Sequence, residues 1–363
     1  MLIKFEPNYL ITPKIANCLM RIESAKEKVM HLPLTPMVLA SLRETARLYT
    51  THYSTMIEGN RLNSDQIEVV LKHEGHFPGR ERDENEVKGY YAALNQVELW
   101  AMKSLSITEK VIQTLHAFVM ADGKTKIKPT PYREAQNVIR DSRTRGIVYM
   151  PPEAKDVPPL MKALQQWIER SEEIPPPIVA SIAHYQFATI HPYYDGNGRT
   201  ARLLTTLLLH LRGYDLKGLY SLEEYYARNL GAYYDAISIG DSHNYYMGRA
   251  EADITKWVEY FVEGMAISFE NVVVRMKEAQ KEGASDQSDL LRQLDPKQRK
   301  ALELFQEFEI ITSHQVGQLF RFKPRTSAKL CATWAKEGFL EIVDPSNKGR
   351  KYKLSKAYKD LIK

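Results

Sequence analysis

His191-Pro192-Tyr193-Tyr194-Asp195-Gly196-Asn197-Gly198-Arg199-Thr200-Ala201-Arg202 is the stretch on which the reading of this chain turns. It is a loop with two glycines feeding a helix that should begin near Gly198. A helix N-terminus leaves backbone N–H groups unpaired and carries partial positive charge, so it receives phosphate well. Gly196 and Gly198 let the backbone approach an anion and can adopt positive φ. Arg199 and Arg202, three apart, share a helix face and suit bidentate contact with phosphate oxygens. Asp195 is a hard oxygen ligand beside them, of the kind Mg²⁺ requires. His191 has an ordinary pKa that suits general-base work on a hydroxyl. A lone glycine-rich loop is usually a turn, and a lone histidine usually packs. One His, one Asp, two Gly, Asn197 and two Arg within twelve residues resist a packing explanation.

Outward from this segment, helical periodicity dominates. Leu203 to Leu211 reads as a buried core helix, within a helix over 199–212 that follows another over about 178–190. Upstream, residues 37–57 place Val38, Leu42, Ala46, Tyr49 and Tyr53 on one stripe, with Gly59 where a left-handed cap belongs. Further helices are expected from Ser64 or Asp65, over 84–103, 108–121, 157–170, 222–240 and 251–280. Residues 133–150 instead hold two short β-prone runs, Asn137–Ile139 and Ile147–Tyr149, separated by polar turn residues, which predicts a hairpin. Residues 1–36 carry no functional reading. Residues 281–294 are small and polar, as in a linker.

Beyond the linker the expected order is helix (about 296–308), helix (312–320), helix (324–337), strand (339–343) and strand (350–354), the outline of a winged helix. Its third helix should bury Ala328, Cys331, Trp334 and Ala335 and expose Arg325, Thr326, Lys329, Thr333 and Lys336. From Arg321 onward basic residues outnumber acidic ones by twelve to four. Such a face suits DNA, with Arg325 and Lys329 in a groove and Lys348, Arg350 and Lys351 on the wing, although winged helices also bind proteins or dimerise.

The chain of 363 residues, 44% hydrophobic and 26% charged with a formal charge of +5, has the composition of a globular protein of two or three domains. The whole-chain charge alone is too small to argue for nucleic acid. Cys18 and Cys331 lack any metal-ligand spacing, and no apolar run reaches membrane-spanning length, so a reducing cytoplasm and no membrane association are expected.

The segment 191–202 closely resembles the Fic-family signature H-P-F-x-D-G-N-G-R-x-x-R, with Tyr193 where phenylalanine is usual; the ring should anchor the loop and its hydroxyl needs a partner. The resemblance covers roughly residues 40–270. It implies an all-α Fic fold with a small β-hairpin flap, here followed by a C-terminal winged-helix domain of α+β type. The implied division is 1–105 as a helical region with an inhibitory helix at about 40–59, 106–280 as the catalytic core with flap 133–150, and 295–363 as the winged helix.

The same resemblance implies a Mg²⁺-dependent protein adenylyltransferase that moves AMP from ATP to a Ser, Thr or Tyr hydroxyl of a protein, this chain itself included. His191 would be the base and Asp195 the metal ligand. Gly196, Asn197, Gly198 and Thr200 would hold the phosphates, Arg199 the leaving pyrophosphate and Arg202 the γ-phosphate. Gly146, Ile147, Val148 and Tyr149 of the flap would line the nucleotide pocket. Tyr233 would stack on adenine, unless the Tyr233-Tyr234 pair simply packs in the core, and Asp241 would accept from the adenine amino group. Ser54, Glu58 and Gly59 resemble the inhibitory motif [S/T]-x-x-x-E-[G/N], which implies that Glu58 pairs with Arg202 and also suggests a role in removing AMP. The alternatives are a nucleotide-sensing DNA-binding regulator and a Fic enzyme with another donor; a homodimer is compatible with either.

Overall fold

The computed structural model describes residues 4–32, 34–124, 126–140, 144, 146–239, 243–283, 294–344, 346 and 349–362. The chain divides into two compact units, Met1–Lys26 with Thr45–Asn271, and Glu27–Glu44 with Val272–Lys363. Among the described residues its α-helices are α1 (Pro13–His31), α2 (Pro36–Ile57), α3 (Ser64–Leu71), α4 (Glu81–Met102), α5 (Glu109–Val119), α6 (Val157–Arg170), α7 (Pro176–Ile190), α8 (Asn197–Leu211), α9 (Leu222–Arg228), α10 (Leu230–Ile237) and α11 (Thr255–Gly283), followed by four more.

The first unit is built around α7 and α8. Both are buried on nearly every side, and α8 takes its polar residues Arg199, Thr200, Arg202, Thr205 and Thr206 inside with it. Ile178, Ile182, Ala183, Phe187 and Ile190 of α7 and Leu203, Leu204, Leu207 and Leu209 of α8 are all fully buried. The two helices pack on each other, and α4 and α5 pack on α8. Gly89 allows α4 to close on α5, because a Cβ there would collide with the Val119 carbonyl. Tight central packing of this kind fixes the loop between α7 and α8 in place.

Residues 13–31, in the region expected to be helical but given no individual helix, form α1, with Ile15, Cys18, Ile22, Ala25 and Val29 as its buried stripe. The helix expected over 222–240 is broken: Asn229 leaves helical geometry (φ −141°, ψ 76°) and its side chain accepts from Ala232 N–H to cap α10. The hairpin pairs β1 (Ile139–Arg140) antiparallel with β2 (Ile147–Tyr149), in register Ile139 to Tyr149. Its first strand starts later than expected because the Asn137 side chain bonds to the Val138 N–H at 2.9 Å and to the Tyr193 carbonyl at 3.3 Å.

In the second unit, short helices Pro296–Ala301 and Leu304–Glu307 replace the single one expected over 296–308. They lead to β3 (Ile310–Thr312), helices Ser313–Phe320 and Pro324–Lys336, and strands β4 (Leu340–Asp344) and β5 (Lys351–Leu354). β3 was not anticipated; it completes an antiparallel sheet of order β3-β5-β4. The core gathers Ile311, Val316, Cys331, Trp334, Phe339, Tyr352 and Leu354. Helix Pro324–Lys336 exposes Arg325, Thr326, Lys329, Thr333 and Lys336. Ala328 is exposed rather than buried; Ser327 takes the inward position, its hydroxyl donating to the Pro324 carbonyl at 3.1 Å. Lys348 and part of the expected wing tip lie outside the described residues.

Candidate active site

The polypeptide leaves α7 through a left-handed residue. His191 sits at φ 52°, ψ 60°, and its N–H still bonds to the Phe187 carbonyl at 3.0 Å. A non-glycine residue there is unusual and persists only where its surroundings impose it. Arg133 imposes it. This buried side chain donates from Nε to the His191 carbonyl at 3.0 Å, from Nη1 to Ala135 at 3.1 Å, and from Nη2 to the Pro152 carbonyl. Its backbone N–H reaches the Pro192 carbonyl at 2.9 Å. Arg133 thus ties the base of the hairpin to the loop that carries His191.

The loop is stapled from within. The Tyr193 N–H donates to Asn197 Oδ1 at 3.0 Å and Asn197 Nδ2 donates to the Tyr193 carbonyl at 2.8 Å. Asn197, expected to cradle phosphate, therefore spends its side chain on the loop. The Thr200 hydroxyl likewise donates to the Gly196 carbonyl at 2.8 Å. Tyr193 is buried as expected and lies flat on His116, with ring centroids 3.6 Å apart, but its hydroxyl finds no partner among the described residues. His116 Nε2 lies 2.9 Å from the Asp195 carbonyl. A carbonyl only accepts, so Nε2 carries the proton, and burial pulls this ring down to about 4, which keeps it neutral. Gly196 (φ 75°) closes the loop with no room for a Cβ, which would meet the Met120 sulfur at 2.8 Å.

At the head of α8 the charged groups converge. Burial pulls the His191 imidazole down to about 4, against the opposing influence of the Ala188 backbone and the Glu58 and Asp195 carboxylates. It is neutral at pH 7 and able to accept a proton. Arg199 is buried, with Nη2 at 3.3 Å from Asp195 Oδ1 and Nε without a hydrogen-bond partner among the described residues. Asp195 itself is 60% exposed. Arg199 and Asp195 line a cleft of about 370 Å³ together with Arg82, Asn85, Glu86 and Met120.

Arg202 is equally buried and holds Glu58 by Nη2 at 2.8 Å. Burial alone would lower its pKa, yet the Glu58 carboxylate and the Tyr233 and Tyr90 oxygens raise it well above the ordinary value. Glu58 follows the last turn of α2, where Gly59 (φ 90°) takes the left-handed position. Its carboxylate rests on Gly198 so closely that a Cβ on that glycine would collide with it. The pair thus places an anion over the first turn of α8.

The flap residues divide. Ile147 and Val148 are exposed and Gly146 is open, whereas Tyr149 is buried and donates its hydroxyl to the Thr189 carbonyl at 2.8 Å. Tyr149 anchors the hairpin on α7 instead of lining a pocket. Tyr233, expected to stack on adenine, is in the core: its ring stacks on Tyr226 at 4.8 Å and its hydroxyl meets His184 Nε2 at 3.0 Å. The open ring of the pair is Tyr234, 46% exposed, because on α10 successive residues point in different directions. Asp241 lies outside the described residues. Arg133 and His116 were missed as site residues, and of the Tyr233-Tyr234 pair the sequence reading chose Tyr233; the burial of the first two and the exposure of Tyr234 became visible only with the packing.

A neutral imidazole, one open carboxylate and two buried guanidiniums converge around a helix N-terminus, an arrangement suited to receiving an anion. Residues 106–209 match the Fic/DOC family, and the chain carries a Fic domain there. Over 198 residues it is 30% identical to a protein adenylyltransferase Fic of Nematostella vectensis, covering 53% of this chain and 44% of that protein. Over 200 residues it is 32% identical to the protein of the same description from Drosophila grimshawi, covering 53% and 40%. The chain thus spans less than half the length of these curated relatives. The fold is similar to that of a Fic family protein from Desulfovibrio desulfuricans, with a TM-score of 0.61 and 23% identity over 97% of this chain and 99% of the other. It is also similar to a Fic domain containing signaling protein from Bacteroides thetaiotaomicron, with a TM-score of 0.59 and 22% identity over 75% and 98%.

Proposed function

We propose that this protein transfers AMP from ATP to a hydroxyl side chain of a protein, and that Glu58 restrains the transfer. The observation that carries the reading is the Glu58–Arg202 pair at the head of α8, beside a neutral His191. The relatives described as adenylyltransferases support the donor. His191 takes the proton of the target hydroxyl, whose oxygen attacks the α-phosphorus. The bond from that phosphorus to the bridging oxygen breaks, and pyrophosphate leaves beside Arg199. Arg202 takes the γ-phosphate, which sets the α-phosphorus in line; positioning and charge neutralisation are most of what such a transfer needs. The occupied guanidinium explains the restraint, since ATP and the Glu58 carboxylate compete for one cation.

Magnesium fits this site. Asp195 offers one exposed carboxylate, and among the described residues no three His, Cys, Asp or Glu side chains form a cage. Magnesium is typically held by one or two carboxylates with phosphates and water, so Asp195 would hold it and the ion would neutralise phosphate charge.

The test is labelling of the protein, and of candidate targets, with ATP radiolabelled at the α-phosphate. Glu58→Gly should raise labelling at least about tenfold, the minimum expected from freeing one charged hydrogen-bond partner, and His191→Ala should abolish it. Equal labelling by wild type and Glu58→Gly would remove the restraint from this account. Because the Glu58 carboxylate also acts on His191, the same residue could orient a water for AMP removal; equal AMP release from a modified target by wild type and Glu58→Gly would exclude that role.

The second unit carries a separate activity in this reading. Its helix–strand–helix–helix–hairpin order is that of a winged helix, and Arg325, Lys329 and Lys351 are exposed while Arg350 is half-buried. This face would bind duplex DNA. Retardation of a DNA fragment by the full chain at low salt, lost at high salt and weakened by Arg325→Ala with Lys329→Ala, supports it; no retardation at low salt refutes it.

A further inference from the structure

The donors of Arg202 are shared unequally. Glu58 receives only Nη2, at 2.8 Å. Ser54 receives more: Nη2 donates to its carbonyl at 2.9 Å and Nε donates to its hydroxyl at 2.7 Å. Neither Ser54 contact depends on Glu58. Having accepted from Arg202, the Ser54 hydroxyl still has a proton to give, and the Tyr90 oxygen lies within its hydrogen-bonding reach. Tyr90 in turn donates to Glu223 Oε1 at 3.1 Å, and Ser221 donates to Glu223 Oε2 at 3.1 Å.

Arg202 donates to Ser54, and Tyr90, which interacts with Ser54, donates in turn to the Glu223 carboxyl group. Ser54 and Tyr90 are fully buried and Glu223 is 3% exposed, so water does not replace any member. Burial raises the Glu223 carboxyl above the usual carboxylate range. A buried guanidinium held by two bonds from one residue has little freedom to rotate, and neither of those bonds runs through Glu58. The edge that Glu58 vacates is then already aimed at the first turn of α8.

We propose that Ser54, braced by Tyr90 and Glu223, is a positioning residue that presents Arg202 to the terminal phosphate of ATP once Glu58 has moved away. Ser54 therefore serves the active state as well as lying in the inhibitory motif. The inference rests on the adenylyltransferase reading above and concerns the same site.

The experiment uses the full chain carrying Glu58→Gly, to which Ser54→Ala, Ser54→Thr or Tyr90→Phe is added. Calorimetry measures the Kd of ATP and of ADP, which lacks the terminal phosphate, and steady-state labelling gives KM and kcat. Ser54→Ala should weaken ATP about tenfold while ADP changes less than about twofold, the size expected for one hydrogen bond to a charged group. KM for ATP should rise more than kcat falls, Ser54→Thr should restore ATP binding, and Tyr90→Phe should shift ATP in the same direction by less. Equal weakening of ATP and ADP, or none for ATP, overturns the proposal. So does strong labelling by Ser54→Ala with Glu58 intact, because that would make Ser54 part of the brake alone. Failure of Glu58→Gly to transfer AMP would sink the functional reading instead, and the contrast in binding between ATP and ADP does not depend on transfer.

Discussion

Arg133 holds the carbonyl of His191 at 3.0 Å, and through it the left-handed turn that ends α7. Three carbonyls, those of His191, Ala135 and Pro152, depend on this one guanidinium. A planar fork with several donors can serve all three, whereas a lysine ammonium in the same place cannot match the geometry. Arg133→Lys in the Glu58→Gly background should lower kcat about ten- to a hundredfold, the penalty for a misplaced catalytic group. Nucleotide affinity should hold, since Arg133 contacts the loop carbonyl and not the anion site. A fall in ATP affinity with kcat unchanged would contradict this.

Removing Glu58 has a cost in the nucleotide-free protein. Arg202 would remain buried with its charge no longer balanced. Breaking a fully buried pair costs about 3–5 kcal/mol, but Glu58 is 32% exposed and water takes part of its place, so about 1–2 kcal/mol is a fair expectation. Glu58→Gly should therefore melt a few degrees below wild type without nucleotide. Saturating ATP should raise its melting temperature more than that of wild type, because the phosphate replaces the lost carboxylate. Equal ATP shifts in differential scanning calorimetry would argue against competition for Arg202.

The parts of this site that the sequence disclosed are those whose chemistry is local. His191, Asp195, Arg199 and Arg202 are spaced by the loop and the first turn of α8, so their convergence follows from helix geometry. Glu58 was legible only through the likeness of Ser54, Glu58 and Gly59 to the inhibitory motif, since a carboxylate at a helix end is by itself an ordinary solvated end. Burial decided the rest. Nothing in Tyr233-Tyr234 says which ring faces inward until α10 is docked and Asn229 has set its start. The case for Asn197 and Thr200 as phosphate ligands comes from the family resemblance alone; that their side chains satisfy backbone groups of Tyr193 and Gly196 follows from how the loop folds onto the first turn of α8. His116 and Arg133 lie 79 and 58 residues from their loop partners, a distance that no local pattern spans. β3 was hidden by its length, three residues that gain meaning only beside β5.

The histidines set a pH dependence with a definite sign. Burial pulls His116 and His191 to about 4 and His184 to about 3. Their native-state pKa values lie below the unfolded value near 6.5, so the unfolded chain binds protons first as pH falls. The stability these rings contribute is complete above about pH 6.5 and declines towards pH 4, by at most about 1.4 kcal/mol per pH unit for each ring. Chemical denaturation at pH 7.5 and 5 would measure it. For the same reason, kcat/KM of labelling by Glu58→Gly should show no titration near 6.5, since the free enzyme's base is already deprotonated there. A midpoint at 6.5 would show that His191 is exposed in the active form.

Tyr233 and Tyr234 can be told apart by what each loses. The Thr205 hydroxyl donates to the Ala201 carbonyl at 2.8 Å, so it accepts from His184 Nδ1, 3.1 Å away. His184 Nε2 must then accept, and the Tyr233 hydroxyl is its donor at 3.0 Å. Tyr233→Phe strands that nitrogen in a site with no water to replace the hydroxyl, which should cost about 1–3 kcal/mol of stability. It removes nothing that touches a base. Tyr234→Ala should do the reverse: its ring is half exposed, so stability changes little, while a stacking face worth about 1–3 kcal/mol is lost. Measured in the Glu58→Gly background with AMP as the ligand, so that Arg202 and the terminal phosphate are out of play, Tyr234→Ala should weaken binding about tenfold or more and Tyr233→Phe should not. Weakened AMP binding in Tyr233→Phe, with Tyr234→Ala unaffected, would return the adenine to Tyr233 and require the α10 packing to open when nucleotide enters.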